Sequence, residues 1–375
     1  MNAIANTLHL KLLDRLVLQD ITPRLLMYIA LFSTLFLTFG PVIAASRFIA
    51  AGIPWWIIAR FIGWDFTGFV SYTFPLGMLA AALLGFERLS RESEAVAIYA
   101  GGISFGRIII PVIALGLAVS LVSYLFNDRI APYANLQVAQ FNDHRQDIVG
   151  ETSKPFDLAN RKDGKLQTTV HIEKGFDAEA KVLRQVTITF YDTDGQPNKV
   201  IYAARAKSQG SGLKEWTLYD ARVVDQKTGL VYAAPGQLQD TVGIQKTPEN
   251  MAFLQRDPET LNFHDLQRQI KEMKAGGSDS ADLRNAEVGL WFKTSLPFSC
   301  LIFGLVGAPL GMRSPRAAKI SGAVWALPII MGYYLVYMTM SNLAQGGGIP
   351  PLLAAWLPDV LGLIVASSLI WKTAK

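Results

Sequence analysis

The sequence predicts a membrane protein of the α+β class, with six transmembrane helices in a 3+3 order around an inserted β-domain. Three observations predict it. Charge-free apolar runs fall into two groups, and a long polar segment with period-two alternation lies between them. Hydrophobic residues make up 51% of the 375-residue chain and charged ones only 17%.

The first run, Leu25–Ser46, is bracketed by Arg24 and Arg47. Phe66–Phe86 and Ile108–Asn127 follow, and Thr294–Met312 opens the second group. No charge occurs from Ile320 to Pro358, and Ala344–Pro351 (AQGGGIPP) divides that stretch. A bilayer core about 30 Å thick takes roughly 20 apolar helical residues. Backbone groups in lipid must be bonded within their own segment, so each run predicts a helix. The N-terminal half, 1–127, then has spans at about 25–47, 61–86 and 105–127, with a connecting loop at 87–104. The C-terminal half, 286–375, has spans at about 291–312, 320–343 and 352–372. The first 24 residues mix charged and apolar groups, and the first span is too long for a signal-peptide core, so no cleaved leader is expected. Those residues read as an amphipathic helix on the membrane face, with Leu8, Leu12, Leu16 and Val17 at helical spacing, or else as a solvated leader.

The segment 128–285 changes period. Val186, Ile188 and Phe190 alternate with Gln185, Thr187 and Thr189, while Gln167, Thr169 and His171 separate Leu166, Val170 and Ile172. This alternation marks half-buried antiparallel strands. Thr193-Asp194-Gly195, Gln209-Gly210-Ser211-Gly212 and Lys227-Thr228-Gly229 are turn signals between them. About six to eight strands are expected from 150 to 245, hence a sandwich or jellyroll-like domain. A helix over 263–275 trails it, with Leu266, Ile270 and Met273 on one face and Gly276-Gly277 at its end.

Basic residues gather at the ends of the spans. Lys11, Arg15, Arg24, Arg88, Arg91, Arg107, Arg313, Arg316, Lys319, Lys372 and Lys375 lie on one side, against Arg47 and Arg60 on the other. Counted over short loops, this asymmetry places both termini in the cytoplasm and the long polar segment outside. The net charge of +5 forms no basic stripe, which excludes nucleic acid as a partner. The one cysteine, Cys300, falls in the fourth span, so the exported domain has no disulfide and folds on its own core.

Chemistry is sparse. The chain has neither a P-loop nor a Gly-x-Ser-x-Gly elbow. His9, His144, His171 and His264 are scattered without metal-ligand spacing. No catalytic residue, metal or cofactor is expected. Arg60 and Asp65 sit among Trp55, Trp56, Trp64 and Tyr72, which suits an interfacial belt, although intramembrane charge is a functional sign in its own right. Asp359 follows Pro358 and reads as a helix start.

The loop from Glu87 to Gly102 (ERLSRESEAVAIYAGG) carries the strongest signal. Ser90 or Ser93 can cap a short helix, and Glu92 and Glu94 suit its first turn. Val96, Ile98 and Tyr99 give it an apolar surface, and Gly101 can end it in the left-handed conformation. Such a helix suits docking in a groove of a cytoplasmic partner. The other reading is a plain extension of the second span.

Phe74-Pro75-Leu76 through Leu84, then Phe86–Glu94 (FERLSRESE) and Ala100-Gly101-Gly102-Ile103-Ser104, resembles the LptF/LptG (YjgP/YjgQ) permeases, membrane subunits of the lipopolysaccharide-export ABC transporter. Asn127-Asp128-Arg129-Ile130-Ala131-Pro132-Tyr133-Ala134-Asn135 is similar to their Asn-x-x-x-x-Pro-x-Ala-Asn, and Leu296-Pro297 and Gly307-Ala308-Pro309-Leu310-Gly311 match their fourth span. With the 3+3 order, the likeness covers nearly the whole chain. It implies a multi-pass protein of the inner membrane of a Gram-negative-type cell, with a periplasmic β-jellyroll joined to an LptC/LptA-like jellyroll protein. It implies a second LptF/LptG-type permease subunit, in a hetero- or homodimer, and a cytoplasmic LptB-like ATPase dimer. The loop helix becomes the docking element, with Glu94 after Ser93 as the ATPase contact, where a carboxylate contributes a charge-assisted hydrogen bond. The substrate cavity lies between the permeases. Arg47 and Arg60 are its candidate basic residues, and Tyr333, Tyr334, Tyr337 and Asn342 of the gate-like fifth span can line a path or simply pack.

The expected function is a permease subunit that extracts lipopolysaccharide or a similar glycolipid, with ATP hydrolysed by the partner. Two rivals stand beside it: an ABC-coupled tether or mechanotransmitter that moves no lipid, and a membrane-embedded lipid-modifying enzyme using Asp65 or Asp359.

Overall fold

A computed structural model of the protein describes residues 2–50, 53–149, 156–162, 165–174, 176–177, 180, 182–192, 195–208, 216–240, 253–254, 256–276, 280–312 and 323–374. Among them, six helical segments are long and apolar enough to cross a membrane: Leu12–Ser46, Trp55–Arg91, Phe105–Asn142, Ala281–Gly311, Val324–Gln345 and Pro351–Ala374. With an antiparallel sheet between the third and fourth, the chain is a membrane α+β protein. Two compact units emerge, 1–138 with 287–375, and 139–286.

In the helical unit, α1 (Asn2–Phe39) is continuous through Pro23, and α2 (Pro41–Ala50) completes the first span. No separate surface helix precedes the span. The stripe that α1 buries is Leu13, Val17, Ile21 and Leu25, one residue per turn. The expected stripe is corrected: Leu12 and Leu16 are exposed, and the Leu8 side chain lies outside the described residues.

The central helix is α3 (Trp55–Arg91), whose residues Leu76–Leu83 are buried almost without interruption. At about 1.5 Å per residue its 37 residues exceed a bilayer core, so its ends project beyond it. Against it lies α9 (Ser280–Gly311). A Cβ on Gly307 would stand 2.8 Å from the Leu79 carbonyl oxygen, and one on Gly311 would overlap that of Leu83. The Gly-Ala-Pro-Leu-Gly run is thus a close-approach surface, as small residues are in membrane helix pairs.

The third span is built from α5 (Phe105–Ile108), α6 (Ile110–Leu125), a π-helical turn at Phe126–Ile130 and α7 (Ala131–Val149). The helix therefore runs past the expected end near 127. The Pro-Tyr-Ala-Asn stretch serves packing here: Ala131 and Ala134 are buried, Tyr133 meets Trp64 edge-on at 5.4 Å, and Asn135 occupies the space above Gly68. The last two spans are α10 (Ala323–Gln345) and α11 (Pro351–Ala374).

In the second unit, strands β1 (Phe156–Lys162), β2 (Lys165–Ile172), β3 (Phe176–Asp177), β4 (Val182–Tyr191), β5 (Pro197–Ser208), β6 (Trp216–Asp225) and β7 (Val231–Asp240) form one sheet. Its order is β1-β2-β4-β5-β6-β7, an antiparallel meander, with β3 paired to β4. Val170 faces Ile188, which faces Ile201, in register across three strands. These residues, with Ile172, Val186, Leu218 and the fully buried Trp216, form the core. Gly195 and Gly229 take left-handed φ values of +77° and +69° at two of the expected turns. Thr193, Asp194 and the Gln209–Gly212 turn lie outside the described residues. At the second turn Asp225 accepts backbone hydrogen bonds from Lys227 at 2.9 Å and Thr228 at 3.0 Å, which hold its carboxyl below the usual range. Helix α8 (Phe263–Gly276) buries Leu266, Ile270 and Met273, the face the sequence indicates.

Candidate functional site

The candidate site is the connection between α3 and α5. Helix α3 ends at Arg91, and α4 (Glu94–Ala100) begins two residues on. Ser93 occupies the N-cap position of α4, as expected, but its φ is +61° and its hydroxyl makes no capping bond. The turn is made by backbone shape rather than by a side-chain cap. Gly102, at φ +77°, turns the chain from α4 towards α5.

Helix α4 has an inner and an outer side. Ala95 is buried, and Ile98 is half-buried against the helical core. Val96 is 56% exposed and Tyr99 39%. Of the three apolar residues expected to form one docking surface, two face outward and Ile98 anchors the helix instead. Partial loss of solvent raises the Tyr99 hydroxyl above the usual phenol range, so it remains a hydrogen-bond donor. Beneath α4, Phe86 and Leu89 are fully buried and the Phe86 ring meets Phe105 at 6.3 Å. The connection is seated, not dangling.

Ion pairs do the rest. Arg88 donates to Glu92 Oε2 at 2.7 Å, and its Nη2 lies 2.8 Å from Asp20 Oδ1 and 3.8 Å from Glu94 Oε2. Asp20 is also paired with Arg24, and Arg91 with Glu87 at 2.9 Å. Arg107 donates to both oxygens of Asp14, at 2.6 and 2.8 Å. That fork-to-fork geometry ties α5 to α1. The i,i+4 pairs on α3 contribute at most about 0.5 kcal/mol each. The Arg88–Asp20 bond differs, because Asp20 is only 9% exposed and stripping its partner strands a shielded charge. Glu94, at 38% exposed, is reached by Arg88 only at 3.8 Å, and its shielded Oε2 has no hydrogen-bond partner among the described residues; Asp20 Oδ2 has none either but is closely paired with Arg24.

The proposed cavity residues are dispersed. Arg60 is exposed on α3, and the Arg47 side chain lies outside the described residues. Asn342 is exposed on α10. Tyr333 is buried against Phe303 at 4.9 Å, and its hydroxyl donates to Asp359 at 3.0 Å. Tyr337 packs on Phe292 at 4.0 Å, and Tyr334 lies edge-on to Tyr333 at 5.6 Å. In this chain the three tyrosines pack against neighbouring rings, as aromatics at helical spacing do when a neighbour offers a surface. Asp359 is not a helix start: α11 begins at Pro351 and Pro358 lies inside it. Asp65 is half-buried on α3.

Sequence reasoning did not single out Asp20, Asp14 or Lys293. Lys293 is 5% exposed on α9, directly before the charge-free run that begins at Thr294. The signal for the Arg88 pairs was present as Glu87/Arg91 and Arg88/Glu92 at i,i+4 spacing.

A family model described as lipopolysaccharide export system permease LptF/LptG matches residues 15–372. The lipopolysaccharide export system permease protein LptF of Escherichia coli strain K12 is 20% identical over 338 residues, covering 86% of this chain and 84% of the relative. The proteins of that name from Escherichia coli O157:H7 and Shigella flexneri are similar to the same extent.

Proposed function

The chain belongs to the lipopolysaccharide export system permease family LptF/LptG, and on that premise we propose that it extracts lipopolysaccharide, or a glycolipid of the same build, from the inner membrane. It hydrolyses no ATP itself. A cytoplasmic ATPase dimer of the LptB kind supplies the work, a second LptF/LptG-type subunit closes the cavity, and an LptC/LptA-like jellyroll receives the lipid from the periplasmic β-domain. Both termini and the 87–104 connection are cytoplasmic in this reading, supported by the placing of Arg and Lys at the ends of the spans. The sequence-based division 1–127, 128–285 and 286–375 serves this reading, with the first helical part extending to residue 138.

Helix α4 is the docking element. The observation that carries this is the pairing of its exposed Val96 and Tyr99 face with the under-satisfied carboxylate of Glu94, on a helix held to the bundle by Ala95 and Ile98. Ser93 and Glu92 shape the approach, and a basic group of the ATPase completes Glu94 by a charge-assisted bond. Helices α1 and α10, which leave large apolar side chains such as Leu31, Leu35, Met331 and Leu335 exposed, form the cavity walls with Arg47, Arg60 and Asn342 near the lipid.

Reconstitution tests the whole. Vesicles holding the chain, its companion permease and the ATPase are expected to pass lipopolysaccharide to a soluble jellyroll acceptor only with ATP. Transfer without the ATPase, or of phospholipid alone, contradicts the reading.

A further inference from the structure

Three carboxylates share the guanidinium of Arg88, and they are not equivalent. Asp20 on α1 is held at 2.8 Å and is shielded, at 9% exposed. Glu92, at the end of α3, is held at 2.7 Å and is half exposed. Glu94, the first residue of α4, is reached only at 3.8 Å, and its Oε2 accepts no hydrogen bond among the described residues. That oxygen is turned inwards towards Arg88, while the Glu94 side chain as a whole is 38% exposed, so a cation arriving from a partner meets the outer side of the carboxylate without disturbing the two short bonds.

Resting on the docking reading above, we propose that Arg88 is the positioning residue of the docking helix. It holds Glu94 ready for a basic side chain of the ATP-hydrolysing subunit, and it conveys the movement of α4 to α1 through Asp20. Two routes lead from α4 back to the bundle. The backbone route passes through Ser93, a non-glycine residue at φ +61°, and so through a bent joint, not a continuous helix. The side-chain route is Glu94–Arg88–Asp20, which crosses from α4 to α1 in two contacts. Asp20 sits one turn before Arg24, its second cation, and next to Ile21 in the buried stripe of α1. Gly85 leaves the space for it, because a Cβ there would stand 3.2 Å from Asp20 Oδ2. A pull on Glu94 thus reaches the wall of the first span directly. Arg107 and Asp14 fasten α5 to the same helix one and a half turns earlier, giving α1 a fixed point about which to respond.

The test uses the full complex in vesicles, with four variants and two readouts: affinity for the ATPase subunit, and lipopolysaccharide transferred per ATP hydrolysed. Asp20→Asn is expected to keep ATPase affinity within about threefold, since it makes no docking bond, and Arg88→Gln to lower that affinity less than Glu94→Ala does, since exposed pairs are weak. Both are expected to lower lipid per ATP about tenfold or more, within the range of ordinary coupling energies. Arg88→Lys is expected to restore part of the loss, which a variant that merely disturbs the loop would not. Unchanged coupling in both Arg88→Gln and Asp20→Asn overturns the proposal. A loss of ATPase affinity in Arg88→Gln equal to that of Glu94→Ala overturns it too, because Arg88 then acts only by shaping α4. Full affinity in Glu94→Ala refutes the docking premise itself and is read independently of either Arg88 result. Asp20→Asn carries the test alone should Arg88→Gln not accumulate.

Discussion

Tyr333 on α10 donates its hydroxyl hydrogen bond to Asp359 on α11 at 3.0 Å, and both side chains are buried. The other carboxylate oxygen, Oδ2, has no hydrogen-bond partner among the described residues. Removing the one donor strands a buried acceptor, which costs about 1–3 kcal/mol. Tyr333→Phe is therefore expected to lower the melting temperature in detergent clearly, whereas Asp359→Asn, which still accepts the bond, lowers it less. Equal melting of Tyr333→Phe and wild type would show that the bond does not hold α10 to the bundle.

The contact between α3 and α9 predicts a sharp contrast among glycines. Gly307 and Gly311 face the Leu79 and Leu83 carbonyls, whereas nothing lies within 4 Å of a Cβ on Gly63. Gly307→Leu is expected to prevent recovery of monodisperse protein on size exclusion. Gly63→Ala is expected to be neutral, or stabilising by up to about 1 kcal/mol from helix propensity.

Topology is accessible through the single cysteine. Cys300 is buried in α9, so the wild type is silent to polar maleimides. Lys227→Cys, on the exposed β6–β7 turn, is expected to react with an impermeant label added from the periplasmic side of intact cells. Labelling only after the membrane is opened would reverse the orientation.

Val96 tests the outer face of α4 without touching the core. It is 56% exposed, so Val96→Asp is expected to leave the melting temperature unchanged and to abolish ATPase co-purification. Retention of the ATPase would move the docking surface elsewhere.

The spans were legible because charge is costly in lipid: the charge-free runs fall on the six long helices, the run from Ile320 being divided between two of them. Their ends were not. Helices α1, α3 and α9 continue into charged segments, such as Leu12–Arg24 and Phe86–Arg91, where hydropathy carries no signal. The buried stripe of α1 was read correctly at Val17 but not at Leu12 and Leu16, because Leu12, Leu13 and Leu16 are equally apolar and only the neighbouring helices choose between them. Asp359 was misread because Pro358 resembles a helix start, yet membrane helices accept proline where neighbours satisfy the freed carbonyl. At the site, the short helix after Ser93 was visible from its acidic start and its glycines. The Arg88–Asp20 bond was not, since it joins residues far apart in sequence and only packing brings them together.

The most direct measurement of the central claim is the affinity of the ATPase subunit for the full-length chain carrying Glu94→Ala. The expected result is a correctly inserted protein with unchanged melting temperature that no longer binds the ATPase or exports lipopolysaccharide. Normal ATPase binding and normal export by that variant would contradict it.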